Sequence, residues 1–334
     1  MKKQCALWAA VLFAVTVCVT GSASARSMKV GMVTDVGGVN DQSFNQSAWE
    51  GLTRTKEELG MKIGYKESKQ DADYAPNLET LTDAEYDLIW GIGFLMADAI
   101  KSTAQVNPDQ KYAIVDFFYG PETPKNVACA VFQEEQPSFL VGYIAGKMTK
   151  AKKVGFVGGI KFPLIEKFEY GYMAGVKMAN PEVEVVRQYA ESFTDAAKGK
   201  AITNNMYQQG ADIVFHAAGG VGDGVIEAAK EKNKWAIGVD KDQSHLAPDN
   251  VLTSAMKRVD NAIFGIVEQL QKGVFKGGES VVYNLSNEGV GIAPTTSKHV
   301  PKEILDEVDG LIAKIKSGEI VVPATDAEYK EFIK

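Results

Sequence analysis

Residues 28–45 read MKVGMVTDVGGVNDQSFN, and the reading of this stretch decides the fold. Residues 28–34 are an apolar, β-branched run that stops at Asp35, and Gly37-Gly38 supplies a turn of low steric restriction. Ser43 is the expected N-cap, with Ala48, Leu52, Thr55 and Leu59 repeating at helical spacing behind it. A strand, a turn and a helix in that order put Asp35, Asn40, Asp41, Phe44 and Asn45 between the carboxyl end of the strand and the amino end of the helix. Open α/β sheets hold their ligands there. Phe44 is a large aromatic ahead of the apolar stripe, and read locally two roles stand level. Either it staples the helix start to the core while its polar neighbours build the turn, or it faces a ligand.

Upstream, Lys2-Lys3, the apolar run 6–19 and the small residues Ala23-Ser24-Ala25 have the form of a secretory leader, with cleavage expected after Ala25. The run is too short to span a bilayer as a mature helix. The competing reading is lipidation at Cys18 with residues 20–27 as a tether, and bulky Val17 directly before the cysteine argues against it. Either reading exports the protein. Removing 25 of 334 residues leaves 309, enough for two domains with well-buried cores. Cys5 and Cys18 lie in the leader, so the mature chain keeps only Cys129 and can form no internal disulfide. The net charge of -7 counts Lys2 and Lys3; without them it is -9, which disfavours nucleic acid and anionic membrane surfaces as partners.

Downstream, strand-like runs at 61–67, 88–92, 111–116 and 127–132 alternate with helix-like runs at 74–84 and 95–106. After a helical stretch at 138–148 the alternation resumes, with strands at 153–158, 183–189, 212–216 and 235–239 and helices at 164–178, 196–208 and 225–232. Two βαβ series of similar size predict two doubly wound parallel-sheet lobes. The last quarter is less regular, with strands at 251–256 and 281–285 and helices at 262–272 and 303–316. These extra elements must pass back to the first lobe and return. More than one crossing makes a hinge, and a hinge between two α/β lobes makes a closable cleft.

Residues at the strand ends are the candidates to face that cleft. Asp116 ends KYAIVD, Phe215 lies near the end of DIVFHA, Asp240 ends WAIGVD and Lys257 follows VLTSAM. A carboxylate there can accept two hydrogen bonds from a vicinal diol, and a lysine beside it balances the charge. A single strand-end aspartate more often caps the following turn, so the set carries the argument. The glycine-rich run 217–224, with Gly219 and Gly220, follows a strand and precedes a helix, but it fits neither GxGxxG nor GxxxxGK[ST] and carries Asp223 where a phosphate would be repelled. It is either a close approach of backbone to ligand or a simple tight connection. Phe44 from one lobe and Phe215 from the other are placed to close on a flat ligand from both faces, with the aspartates taking hydroxyls and ring N–H groups. That chemistry points to a nucleoside and away from a nucleotide. The three histidines sit in no metal spacing, and no CxxC, HExxH, GxSxG or Walker A sequence occurs. No metal, cofactor or catalytic residue is implied.

The segments KVGMVTDVGGVNDQSFNQSAWEGL, FQEEQPSFLVGYIAG, ADIVFHAAGGVGDGVIEAAKE, WAIGVDKDQ, VLTSAMKR and EIVVP, in this order, together resemble the BMP (basic membrane protein) family, also called the PnrA-like purine-nucleoside-binding proteins of ABC transporters. The resemblance covers almost the whole mature chain. It implies the fold of type I periplasmic binding proteins, with residues 27–133 and 258–284 in the N-terminal lobe and 134–257 and 285–334 in the C-terminal lobe. It further implies that Phe44 and Phe215 stack on the purine, that Asn45 contacts the base, and that Asp35 and Asp116 add polar contacts. Asp240 and Lys257 match ribose contacts, and Gly219-Gly220 the close-approach loop. His216 is left without a role, and Gly37-Gly38 widens the opening turn. The implied partners are a purine nucleoside and an ABC permease, and the implied state is a monomer in the periplasm. An enzyme such as a nucleoside hydrolase, or a sensor passing occupancy to a signalling partner, are the readings from other classes.

Overall fold

The structure, a computed structural model, describes residues 27–334. The expected leader, its cleavage point at Ala25 and Cys18 lie outside the described residues. The first series comprises β1 (Lys29–Thr34), α1 (Phe44–Leu59), β2 (Lys62–Lys66), α2 (Tyr74–Asp83), β3 (Leu88–Ile92), α3 (Ala97–Val106), β4 (Tyr112–Val115) and β5 (Val127–Phe132). The second comprises α4 (Glu135–Met148), β6 (Lys153–Gly158), α5 (Pro163–Ala179), β7 (Glu184–Tyr189), α6 (Ala196–Gln208), β8 (Ile213–Ala217), α7 (Val221–Lys232), β9 (Trp235–Asp240) and β10 (Val251–Lys257). The chain ends in α8 (Val259–Gln271), β11 (Ser280–Tyr283), β12 (Val290–Ile292), α9 (Lys302–Ser317) and α10 (Asp326–Phe332).

Two six-stranded sheets result, in the orders β2-β1-β3-β4-β5-β11 and β7-β6-β8-β9-β10-β12. Every pairing is parallel except β10 with β12. Central strands such as β3 (LIWGI) and β8 (IVFHA) are buried throughout, as continuous apolar runs covered on both faces must be. In each sheet the strand order reverses beside the first strand, which opens a crevice at the carboxyl ends of the strands.

The chain passes between the sheets three times: after β5, after β10, and between β11 and β12. The extra elements do return to the first lobe. There α8 lies on α1 so closely that a Cβ on Gly51 would stand 2.5 Å from the Asp260 carbonyl oxygen. The seam between α4 and α5 is equally tight, with a Cβ on Gly175 falling 2.0 Å from the Phe139 carbonyl oxygen. Helices α4, α7 and α8 start three or more residues earlier than the apolar pattern indicates, α8 at Val259 instead of residue 262. Helix α4 begins at Glu135, three residues before the expected start, because Pro137 in a first helical turn loses no hydrogen bond. Helix α7 begins at Val221, inside the glycine-rich run. Strand β12 and helix α10 are too short for their periodicity to announce them.

Candidate functional site

The carboxyl ends of the two sheets face each other around a cavity between the lobes. From the first lobe it is lined by Asp35, Asp41, Phe44, Asn45, Phe94 and Asp116, and from the second by Leu164, Phe168, Phe193, Gly219, Asp240 and Lys257, among others. Asp116 directly follows β4 and Asp240 is the last residue of β9, and both hold the left-handed backbone that non-glycine residues seldom adopt, with φ +71° and +63°. Strain of this kind collects at ligand sites, where the rotated backbone turns a side chain out of the sheet.

At the start of α1 the capping is done by Asp41, not by Ser43. The Asp41 carboxylate accepts the backbone N–H groups of Ser43, Asn45 and Gln46 at 2.8–3.0 Å. Asn45 Nδ2 donates to Asp35 Oδ1 at 2.8 Å and to Asp41 Oδ2 at 3.0 Å. With both N–H bonds directed at carboxylates, Asn45 Oδ1 is fixed as an acceptor, and it is buried without a partner. Asp116 Oδ1 is in the same state. Burial pushes the Asp35 carboxyl up to about 6, against the amide of Gly37 and the side chain of Asn45. Burial likewise raises Asp116 to about 6 and Asp240 to about 7, with the Lys257 ammonium opposing both shifts.

Among the described residues, Lys257 is the one cation in the cavity wall. Its Nζ lies 2.6 Å from Asp116 Oδ2 and 3.2 Å from Glu134 Oε1, and 5.1 Å and 5.7 Å from the ring centres of Phe44 and Phe168. Burial would lower its pKa, but Asp116, Glu134 and Asp240 outweigh that and raise it. Four carboxylates against one ammonium leave no place for a ligand phosphate.

The lobes are closed on each other. Ser43 Oγ donates to Asp240 Oδ2 at 2.5 Å, Gln243 Nε2 donates to the Gln42 carbonyl at 3.2 Å, and Lys241 pairs with Glu50. On the other side the ring of Phe94 stacks on Phe162 with centres 4.2 Å apart and meets Phe193 edge-on at 6.1 Å.

Of the residues singled out in the sequence, Asp35, Phe44, Asn45, Asp116, Gly219, Asp240 and Lys257 come together around this cavity. Phe215 does not. Its side chain is wholly buried in the second-lobe core, 5.6 Å from the ring centre of Phe156 and 5.1 Å from that of Tyr172. It points to the same face of β8 as Ala217 but one pleat deeper, and Ala217 is the residue that reaches the cavity. Gly220 is also outside the wall, at ordinary helical φ -63° as the residue before α7. The later glycines of that run serve packing. A Cβ on Gly222 would meet His216 Cε1 at 1.9 Å, and one on Gly224 would meet the Ala196 carbonyl at 1.8 Å. The sequence reading missed Phe94, Phe168 and Phe193. Phe193 lies in the loop ahead of α6, where no periodicity marks it.

Among the described residues no group of three or more His, Cys, Asp or Glu is arranged to hold a metal ion, and no helix is long and apolar enough to cross a membrane.

The family model described as "ABC transporter substrate-binding protein PnrA-like" matches residues 28–326. "Basic membrane protein A" of Borreliella burgdorferi is 41% identical over 94% of this chain and 93% of its own length. The "ABC transporter nucleoside-binding protein BmpA" of Lactococcus lactis is 40% identical over 89% of each chain. Among solved structures, a solute-binding protein of an ABC transporter system from Aeropyrum pernix superposes with a TM-score of 0.81 at 30% identity, covering 91% of this chain and 96% of that one. With its fold, its cleft and this likeness along nearly the whole described length, the chain belongs to the PnrA-like (Bmp) family of extracytoplasmic ABC transporter substrate-binding proteins.

Proposed function

We propose that the protein captures a purine nucleoside between its lobes and presents the closed form to an ABC permease. The observation that carries this reading is the pair of buried acceptors without partners, Asn45 Oδ1 and Asp116 Oδ1, in a wall that also holds aromatic rings. Buried acceptors call for donors, and a purine nucleoside brings N–H and O–H groups on a flat body. Phe44 and Phe193 keep accessible ring surface, while Phe168 is 3% exposed and the Phe94 ring is already stacked on Phe162. The stacking pair is therefore Phe44 with Phe193, in place of Phe44 with Phe215. Asp116, Asp240 and Lys257 hold the ribose hydroxyls, and Asp35 with Asn45 reads the base. The relative from Lactococcus lactis with "nucleoside-binding" in its name supports the ligand class.

The mechanism is a population shift. A ligand that touches both lobes only when they are shut biases the hinge toward the shape a permease recognises. No bond of the ligand is made or broken, and the protein acts as a monomer.

The test is a thermal-shift panel on refolded protein with inosine, guanosine, adenosine, uridine, free purine bases, nucleoside monophosphates and ribose. A nucleoside at about 100 times its Kd adds about 2.7 kcal/mol of apparent stability. Purine nucleosides are expected to stabilise, their monophosphates to have no effect, and inosine to be recovered intact. Stabilisation by ribose alone, or release of hypoxanthine, overturns the reading.

A further inference from the structure

His216 lies outside the cavity wall, yet space has been cleared for it and for Gln243. A Cβ on Gly222 in α7 would strike the His216 ring, and one on Gly238 in β9 would lie 2.6 Å from Gln243 Oε1. Both side chains are wholly buried. Gln243 Oε1 accepts the Val239 N–H at 2.9 Å and the His216 Nε2–H at 3.0 Å. Two donors on one atom fix which end of the amide is oxygen and which is nitrogen. Gln243 Nε2 then donates across the cleft to the Gln42 carbonyl at 3.2 Å. Gln42 holds a left-handed backbone, φ +53°, immediately before Ser43 and Phe44, and the adjacent Ser43 Oγ reaches Asp240. The turn that carries Phe44 and Asn45 is thus gripped from the second lobe at two consecutive residues.

We infer that His216 and Gln243 are positioning residues for lobe closure: His216 holds the Gln243 amide in the one orientation that clamps the Gln42 carbonyl, and the clamp exists only while the lobes are shut. The inference rests on the closure step of the function proposed above, and not on which ligand fills the cavity. His216 is suited to the part because it stays neutral. Burial pushes it down to about 4, so its Nε2–H donates and its Nδ1 lone pair stays unused across the physiological range.

The test needs no ligand. Glu50 and Lys241 pair across the same seam, and Cys129 is buried, so Glu50→Cys/Lys241→Cys protein offers two thiols that a short bifunctional thiol reagent bridges when the lobes close. The rate of bridging, divided by the rate of single labelling, reports closure. Gln243→Met and His216→Phe are each expected to slow bridging about fivefold, as loss of one net hydrogen bond does. The double variant is expected to be no slower than either single one, because His216 acts through Gln243. His216→Gln, which restores an N–H donor, is expected to recover most of the rate. If His216→Phe fails to fold, Gln243→Met, of similar length without polar atoms, carries the test. Unchanged bridging in Gln243→Met, additive losses in the double variant, or no bridging in the parent overturns the inference. If bridging slows as stated while no purine nucleoside binds the parent, the ligand reading fails and the clamp stands. If nucleosides bind and bridging is unchanged, the clamp fails and the ligand reading stands.

Discussion

Lys257 Nζ, at the end of β10 in the second lobe, donates to Asp116 Oδ2 at 2.6 Å in the first, so one lobe neutralises a strand-end carboxylate of the other. Both side chains are nearly sealed from solvent, 2% and 5% exposed, and the same ammonium serves Glu134. Removing one partner of such a pair leaves a charge buried without compensation. Lys257→Met is expected to cost about 3–5 kcal/mol in urea unfolding. Adding Asp116→Asn is expected to return part of that loss, since one stranded carboxylate is then gone. A single variant as stable as the parent would show that the pair is not closed in solution.

The two phenylalanines of the second lobe separate by what their loss affects. Phe215→Ala opens a hole between Phe156 and Tyr172 and is expected to lower stability by about 3–5 kcal/mol. Phe193→Ala removes a ring with accessible surface and is expected to leave stability nearly unchanged while weakening nucleoside binding by about 1–3 kcal/mol, as Phe44→Ala does. Calorimetric titration beside thermal melts distinguishes the two. The reverse pattern would restore Phe215 to the site.

Asp240 gives a pH dependence of definite sign. Its carboxyl is raised from 3.8 to about 7 by burial, so the folded protein binds a proton that the unfolded chain has released. The raised group therefore favours folding fully below about pH 4, and this contribution is lost as pH rises through about 7. His216, lowered to about 4 by burial, opposes this between about pH 4 and 6.5. The difference between parent and Asp240→Asn isolates the aspartate. The variant is expected to gain stability relative to the parent steadily from pH 4 to 7 and then level off. A difference curve flat over that range would rule out the raised carboxyl.

Glycines of the run 217–224 are expected to differ sharply when given a methyl group. Gly222→Ala and Gly224→Ala would drive a Cβ into the His216 ring and the Ala196 carbonyl, at about 1–3 kcal/mol or more each. Gly220→Ala, at φ -63° with its nearest neighbour 3.3 Å away, is expected to melt within a few degrees of the parent and to bind normally. Loss of binding in Gly220→Ala at unchanged stability would return that residue to the ligand.

The fold was legible in the sequence because its determinants are local. Continuous apolar runs of strand length, separated by helix-length segments and turns, leave a parallel, doubly wound sheet as the way to bury both faces of each strand, and two such series give two lobes. The strand-end aspartates and Lys257 were legible for the same reason, since the carboxyl end of a strand opens on the cleft wherever the sheet lies. What a side chain meets across the cleft is not local. Ser43 is spelled as a helix cap, but Asp41 takes the helix amides and leaves the Ser43 hydroxyl for Asp240, 197 residues away. Phe215 has the right strand and the right face, and a single pleat of depth puts it in the core instead of the wall. Phe193 reaches the cavity from a loop with no periodicity to place it. Sequence determined which residues stand at the sheet ends; tertiary structure decided which of them the two lobes enclose, because that depends on contacts the chain makes only when both sheets are in place.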